Sequence, residues 1–222
     1  NKSFTLIGNY GTGKSTFLWA LEKNLLKEKI YFSNTNTSNV TSYDFIKLVG
    51  DNASLTNTLL KALKLKDGSS KEIIEELEKR RNLANKKNKG LVIIIDEFGK
   101  FLEFIGKNKH NNDLYLLQLI SEWANDDSKN VFFIISLHQS FISYSSSLDV
   151  SEKQEWEKIK GRFVELLFNE PIEQLLFFAS KRLEHFELTK KNEASFNLLI
   201  TISISSSFKC PNPNRIAQVF LS

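Results

Sequence analysis

"LIGNYGTGKSTFLWAL", residues 6–21, contains an unbroken match to the motif G-x-x-x-x-G-K-[ST] at Gly8–Ser15. An apolar, strand-like run, Phe4–Ile7, precedes the motif, and a helix-like run, Thr16–Leu26, follows it. The glycines let the backbone curl until successive N–H groups point at a phosphate, and the next helix adds the positive end of its dipole. This strand-then-helix context separates a phosphate-binding loop from a chance glycine-rich turn.

Each position of the motif has an expected role in holding a nucleoside triphosphate. Lys14 reaches the β- and γ-phosphates, and the hydroxyl of Ser15 is placed to bind Mg²⁺. The aspartate-containing N-K-x-D motif that reads guanine is absent, which favours ATP. The residues expected to bind ATP with Mg²⁺ are Gly8, Asn9, Tyr10, Gly11, Thr12, Gly13, Lys14, Ser15 and Thr16.

A second motif lies in "GLVIIIDEFGKFLEF", residues 90–104, where an apolar run ends at two carboxylates, Asp96 and Glu97. Ligands of open α/β sheets collect at the carboxyl ends of the strands. We expect Asp96 to join the Mg²⁺ shell, directly or through water. Alternation along a strand would turn Glu97 to the other side, where it would act as the general base for water. Together the two motifs indicate nucleotide hydrolysis.

A third apolar run, "VFFIISLHQSF" at residues 131–141, ends among the polar residues Ser136, His138 and Gln139. A polar side chain here can contact the γ-phosphate or hold the attacking water. His138 is the catalytic candidate, with Ser136 and Gln139 as alternatives for that contact. A hydrogen-bonded histidine packed below the site is an equally open interpretation of His138.

Strand-like and helix-like segments alternate along the chain, which predicts a parallel sheet with crossover helices. We expect an ATPase core at residues 1–168, a helical lid at residues 169–222, and a surface loop at residues 33–42. The predicted strands are Phe4–Ile7, Ile30–Ser33, Leu91–Ile95, Val131–Ser136 and Val164–Phe168. The predicted helices are Thr16–Lys27, Tyr43–Leu65 with a break at Gly50, Ser70–Leu83 and Leu114–Trp123.

Composition narrows the class of protein. The 222 residues are 41% hydrophobic, and no apolar run reaches the roughly 18 residues of a membrane span. The single cysteine, Cys210, excludes an internal disulfide framework and fits a reducing compartment, so we expect a cytoplasmic protein. Because the chain opens almost directly on its first strand, we expect it to be part of a longer protein. The net charge of +4 is mild, and the basic segment Arg80–Lys89 is either a phosphate contact or a solvated helix end.

These motifs together resemble the AAA+ class of ATPases, including its origin-recognition and STAND-like relatives. The resemblance rests on Walker A at Gly8–Ser15, Walker B at Ile93–Glu97, and a sensor-1-like strand end near His138. It implies a three-layer α/β P-loop NTPase fold, with a parallel five-stranded sheet and a small C-terminal helical lid. Histidine and glutamine stand where asparagine or threonine is common in the family.

Two arginines receive roles from the same resemblance. "KGRFVELLFNEPIEQL", residues 160–175, is similar to the AAA+ segment that carries the arginine finger, which implies that role for Arg162. "PNPNRIAQVF", residues 211–220, is similar to the lid segment that carries the sensor-2 arginine, which implies that role for Arg215. Because a finger is usually given by a neighbouring subunit, Arg162 implies a homo-oligomer. A surface arginine is the alternative for each.

More narrowly, "LHQSFISYSSSLDVSEKQEWEKIKGRF", residues 137–163, resembles a stretch of the large ATPases of prokaryotic anti-phage defence loci, such as the BREX ATPase. That resemblance implies an ATPase module that moves or remodels nucleic acid or a partner protein. A nucleotide-gated switch that controls the assembly of attached domains is the alternative. A small-molecule kinase is weaker, because no residues indicate a pocket for a phosphate acceptor.

Overall fold

The computed structural model describes residues 1–32, 40–108, 111–145 and 150–168. Within these ranges the strands are β1 (Ser3–Ile7), β2 (Ser42–Val49), β3 (Lys89–Asp96), β4 (Val131–Leu137) and β5 (Val164–Leu167). The α-helices are α1 (Lys14–Leu25), α2 (Leu55–Leu63), α3 (Ser70–Asn85), α4 (Gly99–Asn108), α5 (Asn111–Ala124) and α6 (Val150–Lys160). A 3₁₀ helix covers Phe141–Ser145. None of the described helices is both long and apolar enough to cross a membrane.

The strands form one parallel sheet in the order β2-β3-β4-β1-β5. The non-consecutive order means that the chain crosses over the sheet between parallel strands, as parallel pairing requires. All five residues of β1 are buried, because β1 lies between β4 and β5 and both faces of the sheet are covered. The carboxyl ends of the strands therefore share one edge, where the polar motifs meet.

Helices cover the sheet on both faces. One buried cluster joins the apolar faces of α2 to α6 to the sheet, and Leu116, Leu117, Ile120 and Trp123 of α5 lie within it. A second cluster joins Phe17 and Leu21 of α1 to the opposite face. The result is the three-layer α/β P-loop fold that the sequence predicts.

Two sequence predictions about the second strand are wrong. Residues 30–32 form no strand, and Ile30 is 84% exposed. The strand lies instead at Ser42–Val49, and all of it except Ser42 falls in the segment Tyr43–Leu65 that was predicted as a helix. Phe45, Leu48 and Leu55 happen to match helical spacing, but Ser42–Val49 pairs with β3 over its whole length, and that pairing overrides the local pattern.

Helices α4 and α6 were not predicted from the sequence. The predicted helices Thr16–Lys27, Ser70–Leu83 and Leu114–Trp123 agree with α1, α3 and α5 within three residues. Of the predicted helix Tyr43–Leu65, only the part after Gly50 contains a helix, α2. The predicted lid at residues 169–222, with Arg215 and Cys210, lies outside the described residues. Most of the predicted polar loop, residues 33–39, lies outside them as well.

Candidate nucleotide-hydrolysis site

The phosphate-binding loop connects the end of β1 to the start of α1. Gly11 and Gly13 have φ values of 81° and 88°, in the left-handed region that glycine adopts without strain. Gly8 is needed for a different reason, because a Cβ there would lie 2.4 Å from the carbonyl oxygen of Phe168. The loop thus presents the N-terminus of α1, with its free N–H groups and positive dipole end, to an anion.

Lys14 holds its ammonium group over this loop. Its Nζ donates to the carbonyl oxygens of Gly8 and Asn9, the latter at 2.8 Å. Burial lowers the pKa of Lys14, while the carboxylates of Asp96 and Glu97 act in the opposite direction. The ammonium therefore lies between the loop and two acidic groups, where a phosphate chain would be neutralised.

Ser15 and Asp96 form the oxygen pair that the two motifs predict. The Ser15 hydroxyl donates to Oδ2 of Asp96 at 2.7 Å. A hydroxyl and a carboxylate are ligands that Mg²⁺ accepts, usually together with waters and substrate phosphates. Among the described residues no group of three or more His, Cys, Asp or Glu side chains could hold a metal ion. The donor set thus fits Mg²⁺ that arrives with a nucleotide.

Glu97 follows β3 in a left-handed conformation, with φ of 53°. Its backbone N–H donates to the hydroxyl of Ser136 at 2.9 Å and to Oδ1 of Asp96 at 3.0 Å. The expectation that strand alternation would separate the carboxylates is wrong. The strand ends at Asp96, and both carboxylates line the same cavity.

The carboxylate of Glu97 has an ion-pair partner. Its Oε2 lies 2.6 Å from Nζ of Lys100 in the first turn of α4. The hydrogen bond that Lys100 donates to Glu97 raises the pKa of Lys100, so the ammonium stays charged. Both side chains remain nearly half exposed, and exposed ion pairs of this kind contribute little to stability. Lys100 can therefore exchange for water without a large cost.

His138 lines the same cavity from the end of β4. The Tyr10 ring stacks on its imidazole, with centroids 5.0 Å apart. The hydroxyl of Tyr144 lies 3.1 Å from Nδ1 of His138. Gln139 is exposed. The hydroxyl of Ser136 donates a hydrogen bond to Asp96 and accepts one from the backbone amide of Glu97. Of the three alternatives, His138 is the one whose polar side-chain atoms remain available to the cavity.

A cavity of about 230 Å³ joins these groups. Its walls come from the loop, from the end of β3 and from the end of β4. It is lined by Tyr10, Gly11, Gly13, Lys14, Ser15, Thr16, Asp96, Glu97, Ser136, Leu137 and His138. A phosphate-binding loop, a metal-binding oxygen pair and a carboxylate beside them are the parts that hydrolysis of a nucleoside triphosphate requires.

The profile of the ATPase family associated with various cellular activities (AAA) matches residues 4–148. The chain belongs to the AAA family. It is accordingly a nucleotide-binding P-loop ATPase. No curated protein sequence matches this AAA chain significantly.

Solved structures show the same fold at low identity. The ORC2 protein of Aeropyrum pernix in its ADP form aligns with TM-score 0.53 and 15% identity, over 82% of this AAA chain and 46% of that one. Its ADPNP-ADP complexes align with TM-score 0.51 and 14% identity, over the same shares. A chain of Drosophila ORC bound to DNA aligns with a TM-score of only 0.49 and 14% identity, over 99% of this chain and 49% of that one. The AAA chain thus spans about half the length of these structures.

Arg162 is not part of the cavity. Arg162 precedes β5, and its carbonyl oxygen accepts a hydrogen bond from the side-chain amide of Asn125. The side-chain oxygen of Asn125 accepts a hydrogen bond from the backbone N–H of Lys2, just before β1. Lys2 and Gly8 are six residue steps apart along an extended chain, a distance of roughly 20 Å. The guanidinium of Arg162 forms an ion pair with Glu122 of α5. Arg162 therefore lies at the far edge of the sheet from its own phosphate loop and cannot contact a nucleotide there.

The basic segment Arg80–Lys89 is largely paired within the AAA domain. Arg80 donates to Glu76 and to the carbonyl of Leu63. Arg81 binds Glu78. Lys89 binds Asp44 of the neighbouring strand at 2.9 Å. These contacts favour the interpretation of the segment as a solvated helix end.

Sequence reasoning missed two parts of the site. It treated Gly50 as a helix break, whereas Gly50 lies at the end of β2 against the backbone of Glu97. It treated Ser136 as a phosphate contact, whereas Ser136 holds Asp96 and Glu97. A correct assignment of β2 would have placed Gly50 next to the second motif, because parallel strand ends share one edge.

Proposed function

We propose that this AAA domain is the ATP-hydrolysing module of a larger cytoplasmic protein, and that it works with Mg²⁺ in a homo-oligomer. The proposal rests on where the residues of the cavity and Arg162 lie in the sheet. Lys14, Asp96 and Glu97 line one cavity. Arg162 lies at the opposite edge of the sheet from that cavity, so the role that we propose for it as a finger is toward a neighbouring subunit.

The residues of the cavity divide the work of hydrolysis. Lys14 neutralises charge on the β- and γ-phosphates. Glu97 accepts the proton of the attacking water as general base, once its carboxylate leaves Lys100. His138 donates a hydrogen bond to the γ-phosphate. Mg²⁺ held by Ser15 and Asp96 would neutralise phosphate charge when bound.

Two arginines complete the proposal from outside this cavity. Arg162 of one subunit stabilises the γ-phosphate of its neighbour, because a guanidinium binds phosphate oxygens in a fork. Arg215, in the proposed lid at residues 169–222, acts as the sensor-2 arginine on the nucleotide. Both assignments rest on the resemblance to AAA+ segments.

We assign the module to prokaryotic anti-phage defence, where hydrolysis would move or remodel nucleic acid or a partner protein. Support comes from the resemblance of residues 137–163 to ATPases of defence loci. The pairing of the basic segment within the domain weakens the case for DNA contact there. An assembly switch with slow turnover is the second candidate, in which ATP binding sets the assembly state and hydrolysis only resets it.

The test is steady-state ATP hydrolysis by the longest obtainable protein, with and without duplex DNA. Glu97→Gln serves as the blank, because it keeps the shape of the side chain and loses the base. We expect Glu97→Gln to retain ATP and to lose turnover by about 10²-fold or more. Unchanged turnover would contradict the general-base role. Strong stimulation by DNA supports a nucleic-acid motor, whereas slow turnover that ignores DNA supports the switch.

A further inference from the structure

Asn125, the residue that follows α5, joins three parts of the chain through its side chain. Its Oδ1 accepts hydrogen bonds from the backbone N–H groups of Lys2 at 2.7 Å and of Ser3, the first residue of β1, at 3.0 Å. Its Nδ2 donates to the carbonyl oxygen of Arg162 at 2.9 Å. Only one orientation of the amide group satisfies these contacts, because two donors face its oxygen and an acceptor faces its nitrogen. The turn that carries Arg162 is therefore tied to the strand that leads into the phosphate loop.

The backbone around Asn125 is itself held in place. The N–H of Asn125 donates to the carbonyl oxygen of Ser121, in the last turn of α5, at 3.0 Å. The ammonium group of Lys2 donates to the carbonyl oxygens of Asp126 and Asp127, both at 3.0 Å, in the loop that follows. These contacts fix the loop against the start of β1, so Asn125 can serve as an anchor for another segment.

The side chain of Arg162 is less firmly held than its backbone. Its guanidinium donates to the carbonyl oxygen of Lys158 and pairs with the carboxylate of Glu122, which is nearly half exposed. Exposed ion pairs of this kind contribute little to stability. The backbone N–H of Arg162 donates to the carbonyl of Ile159 at 3.0 Å, and its own carbonyl binds Asn125. The guanidinium can therefore turn to a new partner while the backbone that carries it stays in place.

We propose that Asn125 is a positioning residue for Arg162: its amide fixes the turn before β5 so that the guanidinium reaches the γ-phosphate bound by a neighbouring subunit. The inference deepens the proposed function and rests on the role of Arg162 proposed there. A finger acts in one direction across an interface, so Asn125 should matter in the subunit that supplies Arg162 and not in the subunit that binds the ATP. A general role in stability would affect both subunits.

Asn125→Asp tests the inference, because it keeps the oxygen that accepts from Lys2 and Ser3 and replaces the donor to Arg162 with a second oxygen. That oxygen would face the carbonyl oxygen of Arg162 without a proton between them, so the turn should move away. The matched control is Asn130→Asp, which makes the same change of charge at an exposed position of the same loop.

Two mixtures of subunits give the readout. Glu97→Gln supplies Arg162 without hydrolysing ATP, and Arg162→Ala hydrolyses ATP with an arginine from its partner. We expect Asn125→Asp in the Glu97→Gln subunit to lower the activity of the mixture by about 10- to 100-fold, since a misplacement of about 1 Å has effects of that size. In the Arg162→Ala subunit it should leave the activity unchanged, as should Asn130→Asp in either subunit. Equal losses in both mixtures, or no loss in the first, would overturn the inference.

Hydrogen exchange of the side-chain amides gives a readout that needs neither turnover nor a variant of Asn125. We expect the amide protons of Asn125 to exchange about 10-fold more slowly than those of the exposed Asn130. Equal exchange rates would refute the contact with Arg162. If Glu97→Gln and Arg162→Ala restore no hydrolysis when mixed without any change at Asn125, the proposed role of Arg162 fails first, and the inference fails with it.

Discussion

Gly50 and Glu97 lie in direct backbone contact at the edge of the sheet. A Cβ on Gly50 would lie 2.0 Å from the carbonyl oxygen of Glu97. The amide of Gly50 also donates to the carbonyl of Asp96 at 2.7 Å. The backbone at the end of β2 therefore packs directly against the backbone of Glu97. Glu97 has a left-handed conformation, which costs about 1–3 kcal/mol unless neighbouring residues hold it.

Gly50→Ala should displace Glu97 while leaving the phosphate loop intact. We expect kcat to fall by about 10²-fold, since a shift of the general base by about 1 Å has effects of that size. Affinity for ATP should change little. The control is Gly68→Ala, where the added Cβ meets only side-chain atoms at 3.2 Å or beyond. Normal kcat in Gly50→Ala would show that the backbone at Glu97 can move without consequence.

Ser136→Ala should weaken the coupling between the two carboxylates. The Ser136 hydroxyl donates to Oδ1 of Asp96 and accepts from the amide of Glu97, so alanine removes both hydrogen bonds. We expect a lower kcat and a higher Mg²⁺ concentration for half-maximal hydrolysis. Ser121→Ala is the control, because Ser121 is also buried but donates to the carbonyl of Gln118. An unchanged Mg²⁺ dependence would argue against a role for Ser136 at Asp96.

The parts of the site that sequence reasoning predicted are contiguous motifs. Gly8–Ser15 and the Asp96-Glu97 pair carry their own strand and helix context, so their positions follow from the chain order. Gly50 and Ser136 act through atoms of other strands, and their roles depend on strand register, such as Val49 beside Asp96. The register of β2 against β3 could not be predicted, because the apolar residues of β2 are spaced in a way that also suits a helix. The fold class was predictable for the opposite reason, since β3 and β4 contain continuous apolar runs, Leu91–Ile95 and Val131–Ile135.

Lys14→Ala tests the phosphate loop itself. The ammonium is the cationic side chain that lies over the loop, and burial that lowers its pKa shows it is partly desolvated. We expect loss of ATP binding, measured by equilibrium titration, together with loss of hydrolysis. Lys47→Ala is a suitable control, because Lys47 pairs with Glu22 on the exposed edge of β2. Tight ATP binding by Lys14→Ala would mean that the loop is vestigial.

Asp113 of α5 stabilises the start of α2. Its buried carboxylate accepts from the backbone amides of Leu55 and Thr56, both at 2.9 Å, and from the hydroxyl of Ser54 at 3.0 Å. Asp113→Ala should lower the free energy of unfolding by about 2–3 kcal/mol, since it removes a cap and leaves buried donors unpaired. Thermal unfolding should show a Tm lower by about 5–10 °C. Exposed Asp67→Ala is the control, and equal Tm values would contradict the capping role.

Arg162→Ala tests the assembly. Because Arg162 lies roughly 20 Å along the sheet from its own loop, ATP binding should be intact. Hydrolysis should fall by about 10³-fold if the arginine serves a neighbour. Mixing this variant with Glu97→Gln should restore activity, since a subunit with Glu97 can then receive Arg162 from its partner. Arg81→Ala, which loses an ion pair with Glu78 and a hydrogen bond to Asn82 on its own helix, should behave like the unaltered protein. If mixing restores nothing, the pair of Arg162 with Glu122 is structural.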